Sequence, residues 1–173
     1  MAKLIALTPC SGLLPMSEGG IDVTEVLYDR LTSVAPLAGC DKAVSTALKE
    51  QVGVGLPGMN RRTGVAWWFG HGTWMVAGDV ALEEVAAVSD QSDAWATVQI
   101  KGPGVENVLA RLIPVDLRLQ VFKKNHVAKT MLGHMSVTVT RVGSASFEIM
   151  VMRSMATTLV HELKVAMRGA AAR

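Results

Sequence analysis

DAWATVQIKGPGVENVLARLIPVDL, residues Asp93–Leu117, reads as strand, tight turn and helix in immediate succession. From Ala94 to Lys101 the residues alternate: Ala94, Ala96, Val98 and Ile100 take one face, and Trp95, Thr97, Gln99 and Lys101 the other. Gly102-Pro103-Gly104 ends the strand, because glycine admits positive φ and proline removes a ladder donor. Apolar residues then recur at Val105, Val108, Leu109, Leu112 and Ile113, one stripe of an α-helix. Glu106 and Asn107 lie off that stripe, Arg111 suits the helix C-terminus, and Pro114 stops it. This is a packing unit, and nothing in it is chemically reactive.

Working outward, 173 residues suffice for one domain with a sizeable core. We read residues 1–173 as a single domain, with an irregular arm plus a short helix over 1–40 and a core over 41–173. With 50% hydrophobic and only 18% charged residues, and a mean hydropathy of +0.32, the chain is apolar for a soluble protein. Its longest apolar stretch, Val65–Ala77, is broken by Gly70, His71, Gly72 and Thr73, so no membrane span is expected. Coverage of apolar surface by other subunits is expected instead. A net charge of +2 gives no case for nucleic acid. Cys10 and Cys40 form no metal or redox spacing and read as free thiols. The run Leu4–Thr8 is too short for a signal-peptide core, and a cytoplasmic location is the expectation.

Towards the N-terminus, residues 1–21 carry Pro9, Pro15 and little periodicity, which reads as an arm. Asp22 or Thr24 caps a short predicted helix through Leu31. A better helix follows Asp41, with Val44, Ala47, Leu48 and Val52 in phase and Gly53 at its end. Val65–Phe69 and Thr73–Ala77 form a hairpin across Gly70-His71-Gly72, carrying Trp67, Trp68 and Trp74, and Val80–Val88 reads as a second short helix. Adjacent Trp67 and Trp68 point to opposite faces of a strand, so that sheet is expected to be covered on both sides. Beyond Leu117, segments 126–132, 136–142 and 146–153 are extended, and a last helix runs from Ser154 to about Gly169 on the stripe Met155, Ala156, Leu159, Val160, Leu163, Ala166, Met167 and Ala170. The sum is an α+β fold, mostly antiparallel sheets with helices on one face, close to a duplicated split β-α-β.

Candidate chemistry is thin, and each feature has a plainer reading. His134 beside Gly133 is a turn histidine or a ligand contact, and His161 in the last helix a solvated side chain or a base. Lys123-Lys124-Asn125-His126 with Lys129 is a solvated connector or a holder for an acidic tail or phosphate. Arg153 is a helix-entry or subunit ion-pair residue or an anion contact. The tryptophans are core or interface, or a ring-stacking site. Gly102-Pro103-Gly104 lacks the lysine and further glycine of a phosphate loop. No set of nucleophile, base and orienting group emerges, so no catalytic, cofactor-binding or metal residue is assigned.

Several motifs taken together resemble a known family. Ser89–Trp95, Gly102-Pro103-Gly104 with Val108–Leu117, Thr130–Met135, Arg153–Ala156 and His161-Glu162-Leu163 are similar in order and spacing to the gamma subunit of heterotetrameric sarcosine oxidase. Gly55-Leu56-Pro57 with Asn60-Arg61, and Trp68-Phe69-Gly70 with Trp74, extend the likeness over about residues 50–170. The resemblance implies the fold of the folate-binding aminomethyltransferase (glycine-cleavage T-protein) superfamily. It also implies an alpha-beta-gamma-delta complex that demethylates sarcosine to glycine and hydrogen peroxide, passing the one-carbon unit to tetrahydrofolate. FAD, FMN, NAD, tetrahydrofolate and zinc are implied on the other subunits, and none on this chain, which is implied to be mainly structural. Two departures bear on that. His134-Met135-Ser136-Val137 carries no carboxylate where aminomethyltransferases have acidic residues, and Gly70-His71-Gly72 replaces the gamma pattern's Gly-Pro-Asp.

Two readings follow. One is a non-catalytic gamma subunit whose partners are the alpha, beta and delta chains. The other is an autonomous folate-binding protein or aminomethyltransferase-like enzyme that takes folate at the tryptophan-lined hairpin.

Overall fold

The computed structural model describes residues 5–172; Met1–Leu4, where the expected arm begins, and Arg173 lie outside them. In chain order the elements are β1 (Met16–Glu18), β2 (Ile21–Val26), β3 (Leu31–Pro36), α1 (Asp41–Val52), β4 (Arg62–Thr63), β5 (Ala66–Gly70), β6 (Thr73–Ala77), β7 (Ala86–Asp90), β8 (Trp95–Lys101), α2 (Val105–Leu109), β9 (Val127–Leu132), β10 (Met135–Gly143), β11 (Ser146–Met152) and α3 (Ala156–Ala171). A 3₁₀ turn at Arg153–Met155 leads into α3.

The strand of the opening stretch, β8, sits inside a six-stranded sheet ordered β1-β2-β8-β11-β10-β9. Every pairing in it is antiparallel. The alternation read from the sequence sets its faces. Ala96, Val98 and Ile100 join Phe147, Ile149, Val151, Val137 and Val139 on one side, where α2 and α3 bury Val105, Val108, Leu109, Leu159, Leu163 and Met167 against them. The regular part of α2 ends at Leu109, earlier than expected, but Ile113 N–H still donates to Leu109 O (2.8 Å) and Ile113 is buried with the stripe.

The second sheet has five strands, ordered β4-β5-β6-β3-β7. Its outer face packs Val34, Ala66, Val76 and Ala86 on Val44 and Leu48 of α1. Its inner face brings Leu31, Trp67, Phe69 and Met75 against Val127 and Met150 of the first sheet. The result is helix, sheet, sheet, helix, with helices on one face of each sheet and the other faces buried together. The sheet bearing the tryptophans is thus covered on both sides.

Two expected helices are strands. The segment read as a capped helix from Asp22 through Leu31 is instead β2, paired with β8, followed by the start of β3, paired with β6 and β7. Its alternating Ile21, Asp22, Val23 and β-branched content match a half-buried strand, and each sheet offers it a partner edge. Met16–Glu18, Ile21–Val26 and Leu31–Pro36 are therefore sheet strands within the stretch read as an arm plus a short helix. The predicted helix over Val80–Val88 reduces to one turn, Val85 and Ala86 N–H both donating to Leu82 O, before β7 completes the sheet edge against β3. Val80, Leu82 and Ala86 are buried beside α1 all the same, so tertiary pairing overrides helix propensity here.

Asp41 is the first residue of α1 rather than its cap; Cys40 precedes the helix without a capping side-chain bond, and Gly53 (φ 79°) closes it in the left-handed conformation.

Candidate functional site

The space between the two sheets holds a compact polar group. Glu148 on β11 accepts from Tyr28 OH (3.0 Å), on the β2–β3 connection, and from Arg62 Nη1, on β4. Arg62 lies over the Trp67 ring (5.2 Å), and Tyr28 tilts against the same ring (5.7 Å between centroids). Tyr28, Trp67 and Glu148, with Thr97, Thr138, Thr140 and Met150, line a cavity of about 10 Å³. That space admits at most one water molecule. Burial first, and then the Glu148 charge, push the Tyr28 phenol above its ordinary range, with Arg62 opposing them.

The tryptophan hairpin is largely engaged in packing. Trp67 is 3% exposed and fills the inter-sheet core with Phe69, which meets Trp95 edge-on at 4.8 Å. Trp68 and Trp74 are direct cross-strand partners, Trp68 packs against the inter-sheet cluster, and Trp74 Nε1 donates to Pro57 O (2.8 Å). Trp67 is thus committed to the core, while Trp68 and Trp74 stay half-buried.

An open cleft of about 330 Å³ runs between Leu7–Pro9, the Leu27–Asp29 connection, Trp95 and Arg153. Arg153 Nη2 donates to Leu7 O (2.7 Å), and its Nη1 lies 3.6 Å from Asp93 Oδ1. Arg153 thus ties the N-terminal segment to the start of α3, the helix-entry role read from the sequence. His134 is exposed in the two-residue β9–β10 turn after Gly133 (φ 56°), and His161 is exposed on α3, so neither meets the other or Arg153 in a shared site. Lys123, Lys124 and Lys129 are exposed, and His126 beside them is half-buried. Burial, then Arg61 and Lys123, hold the His126 imidazole below its ordinary value. Among the described residues no three of His, Cys, Asp and Glu come together as a metal set.

Arg141 escaped the sequence reading. It is a fully buried arginine on β10 that donates to the carbonyl oxygens of Phe122, Leu117 and Ser144 and to Glu106 of α2, with its guanidinium 4.3 Å over the Phe147 ring. One signal was available. After Val137 and Val139, position 141 is the next core-facing position of its strand.

The GCVT N-terminal domain family matches residues 42–171. The chain belongs to this family. The GCVT-type chain is 28% identical over 177 residues to the sarcosine oxidase subunit gamma of Corynebacterium sp. (strain P-1), covering 96% of this chain and 86% of that protein. Its backbone is similar to a chain of the heterotetrameric sarcosine oxidase from Corynebacterium sp. U-96, solved in complex with pyrrole 2-carboxylate, at a TM-score of 0.82 and 23% identity, covering 97% of each. At that identity the structural likeness speaks for the fold. It agrees with the resemblance drawn from the motifs, and with an antiparallel α+β architecture of the aminomethyltransferase type. Among the described residues no helix is long and apolar enough to cross a membrane.

Proposed function

We propose that this GCVT-family chain is the gamma subunit of a heterotetrameric sarcosine oxidase or a close relative, and that it holds neighbouring subunits in place without reacting itself. The observation that carries this reading is the extent of the likeness. It spans 96% of this chain and 86% of the gamma subunit, so one whole subunit corresponds to another. In the reading, the alpha, beta and delta chains carry FAD, FMN, NAD, tetrahydrofolate and zinc. The complex oxidises sarcosine to glycine and hydrogen peroxide in the cytoplasm, with its one-carbon unit passed to tetrahydrofolate.

Packing supports the structural role. The inter-sheet space is filled by Trp67, Tyr28 and the Arg62–Glu148 pair, and Arg141, the one fully buried charged side chain among the described residues, is spent on loop carbonyls and Glu106. Meanwhile Leu7, Leu27, Met59 and Met152 are each more than half exposed, apolar surface of the kind a partner covers.

The test is to express the chain with and without the other three subunits and to titrate the purified chain with a reduced folate, following tryptophan fluorescence and calorimetry. Co-purification with a flavin-bearing chain, and no response to millimolar folate, is the expected result. Saturable micromolar folate binding by the chain alone would overturn the reading in favour of an autonomous folate-binding protein.

A further inference from the structure

Where β4 and β9 meet, two loops are locked side by side. Val127 N–H donates to Asn60 O and Arg62 N–H to Asn125 O, both at 2.9 Å, and Arg61 and His126 form an isolated antiparallel bridge. Asn60 (φ 58°) and Asn125 (φ 67°) are the non-glycine residues with left-handed backbone among those described, and both lie on this seam. Asparagine tolerates that conformation better than most residues, yet two such positions facing each other in exposed loops mark a surface held in a set shape.

The seam presents cations without partners. Arg61, Lys123, Lys124 and Lys129 are exposed, and among the described residues none of them takes part in an ion pair. The Arg61 guanidinium finds only the Asn60 carbonyl (2.9 Å), and the Lys129 ammonium sits 4.6 Å over the Phe69 ring. Glu148 on β11 is already taken by Arg62 and Tyr28.

Exposed apolar side chains flank the cations at a spacing of two. Met59 (73% exposed) precedes Arg61, Val121 (53%) precedes Lys123, and Met131 (41%) follows Lys129. On β9, residues two apart share a face, so Lys129 and Met131 are presented together.

We propose that this edge, Arg61, Lys123, Lys124 and Lys129 with Met59, Val121 and Met131, is where an acidic segment of a neighbouring protein subunit docks. The inference rests on the gamma-subunit reading and adds where the contact lies and what chemistry recognises it. Charge complementarity picks the partner's sign, and unpaired cations steer an anionic face into register. Methionine and arginine are enriched at protein interfaces, and the apolar flanks supply the dry contact that carboxylates alone would not. A nucleic-acid backbone would use the cations but leave those flanks exposed, and the net charge of +2 is small for that role.

The test measures association of the full chain with the complex of the other three subunits, for the wild type and for K123E/K124E/K129E, at low and high sodium chloride. These exposed lysines hold no described ion pair, so unchanged circular dichroism and melting are required of the variant and K123Q/K124Q/K129Q serves as a milder control. The expected result is wild-type binding that weakens as salt rises, at least a tenfold loss in the glutamate variant, and an intermediate loss in the glutamine variant. Equal affinity and equal salt dependence for all three chains would overturn the docking inference and leave the gamma-subunit reading standing. No association of the wild-type chain would overturn both. Salt-sensitive self-association of the isolated chain, abolished by the charge reversal, would overturn the choice of partner in favour of a second copy.

Discussion

Arg141 Nη2 meets Glu106 Oε1 on the helix-covered side of the six-stranded sheet, with the arginine at zero exposure and the glutamate one-third exposed. The pair links β10 to the helix that follows β8. The same guanidinium also holds the carbonyls of Leu117, Phe122 and Ser144, three loop positions that lack strand partners for those oxygens. A buried cation is tolerable only when its donors are matched this fully.

Removing Arg141 should therefore be strongly destabilising. Arg141→Ala leaves Glu106 and three loop carbonyls without their donor, a loss of about 3–5 kcal/mol by analogy with broken buried pairs. Arg141→Lys should recover little, because one ammonium cannot reproduce the planar fork. Urea unfolding of the three proteins checks this, and a lysine variant as stable as the wild type would contradict it.

The two thiols should differ sharply in reactivity. Cys10 is 1% exposed, its N–H donates to Glu25 Oε1 (2.8 Å), and its thiol is pushed up to about 12, by burial first and by Glu25 second. Cys40 is half-exposed ahead of α1. Because only the thiolate attacks, a disulfide reagent at mildly alkaline pH should label Cys40 promptly and Cys10 at least about a hundredfold more slowly. Denaturant should equalise them. Two equally fast equivalents in the native protein would show that the segment around Cys10 opens freely.

Tyr28 is the sole tyrosine of the chain, so its ionisation can be followed without a second phenol titrating beside it. Its phenol is raised above the ordinary value in the folded state, chiefly by burial and then by Glu148. The sign follows from linkage. The neutral phenol contributes stability in full below about pH 10, the unfolded value, and that contribution is lost as pH climbs from there towards the raised folded value. Tyrosinate absorbance should accordingly rise together with unfolding. Tyr28→Phe should lose about 1 kcal/mol at neutral pH, from the missing hydroxyl bond to Glu148, and should flatten the alkaline fall in stability.

How much of this was legible in the sequence depended on the residue's partners. The faces of β8, β10 and β11 could be read because alternation over Ala96–Ile100, Val137–Val139 and Phe147–Val151 is a property of the strand alone. The helices expected at 22–31 and 80–88 failed for the converse reason. Their local patterns are ambiguous, and the deciding term is an open edge on β8 or β3 that lies far away in the chain. The Arg62–Glu148–Tyr28 group was invisible for a related cause, since it joins three segments that only the stacking of two sheets brings together. The tryptophans gave the right environment, a covered sheet, but composition could not tell a filled core from a stacking slot.

The turn that ends β8 separates steric from conformational demand, and two substitutions resolve them. Gly102 has φ 142°, and a Cβ there would stand 2.4 Å from Gly20 O and 2.9 Å from Ile21 Cα, both backbone atoms of the β1–β2 hairpin that cannot step aside cheaply. Gly104 has φ 77° with nothing within 4 Å of its would-be Cβ. Gly104→Ala thus incurs only the left-handed backbone penalty, about 1–2 kcal/mol. Gly102→Ala adds a clash that must push β2 away from β8, and should cost about 3 kcal/mol or more. At roughly 2–4 °C per kcal/mol for a chain of this size, thermal melts of the two variants should be clearly resolved. Equal melting temperatures would mean that β2 and β8 do not approach as closely at this turn as the structure has them.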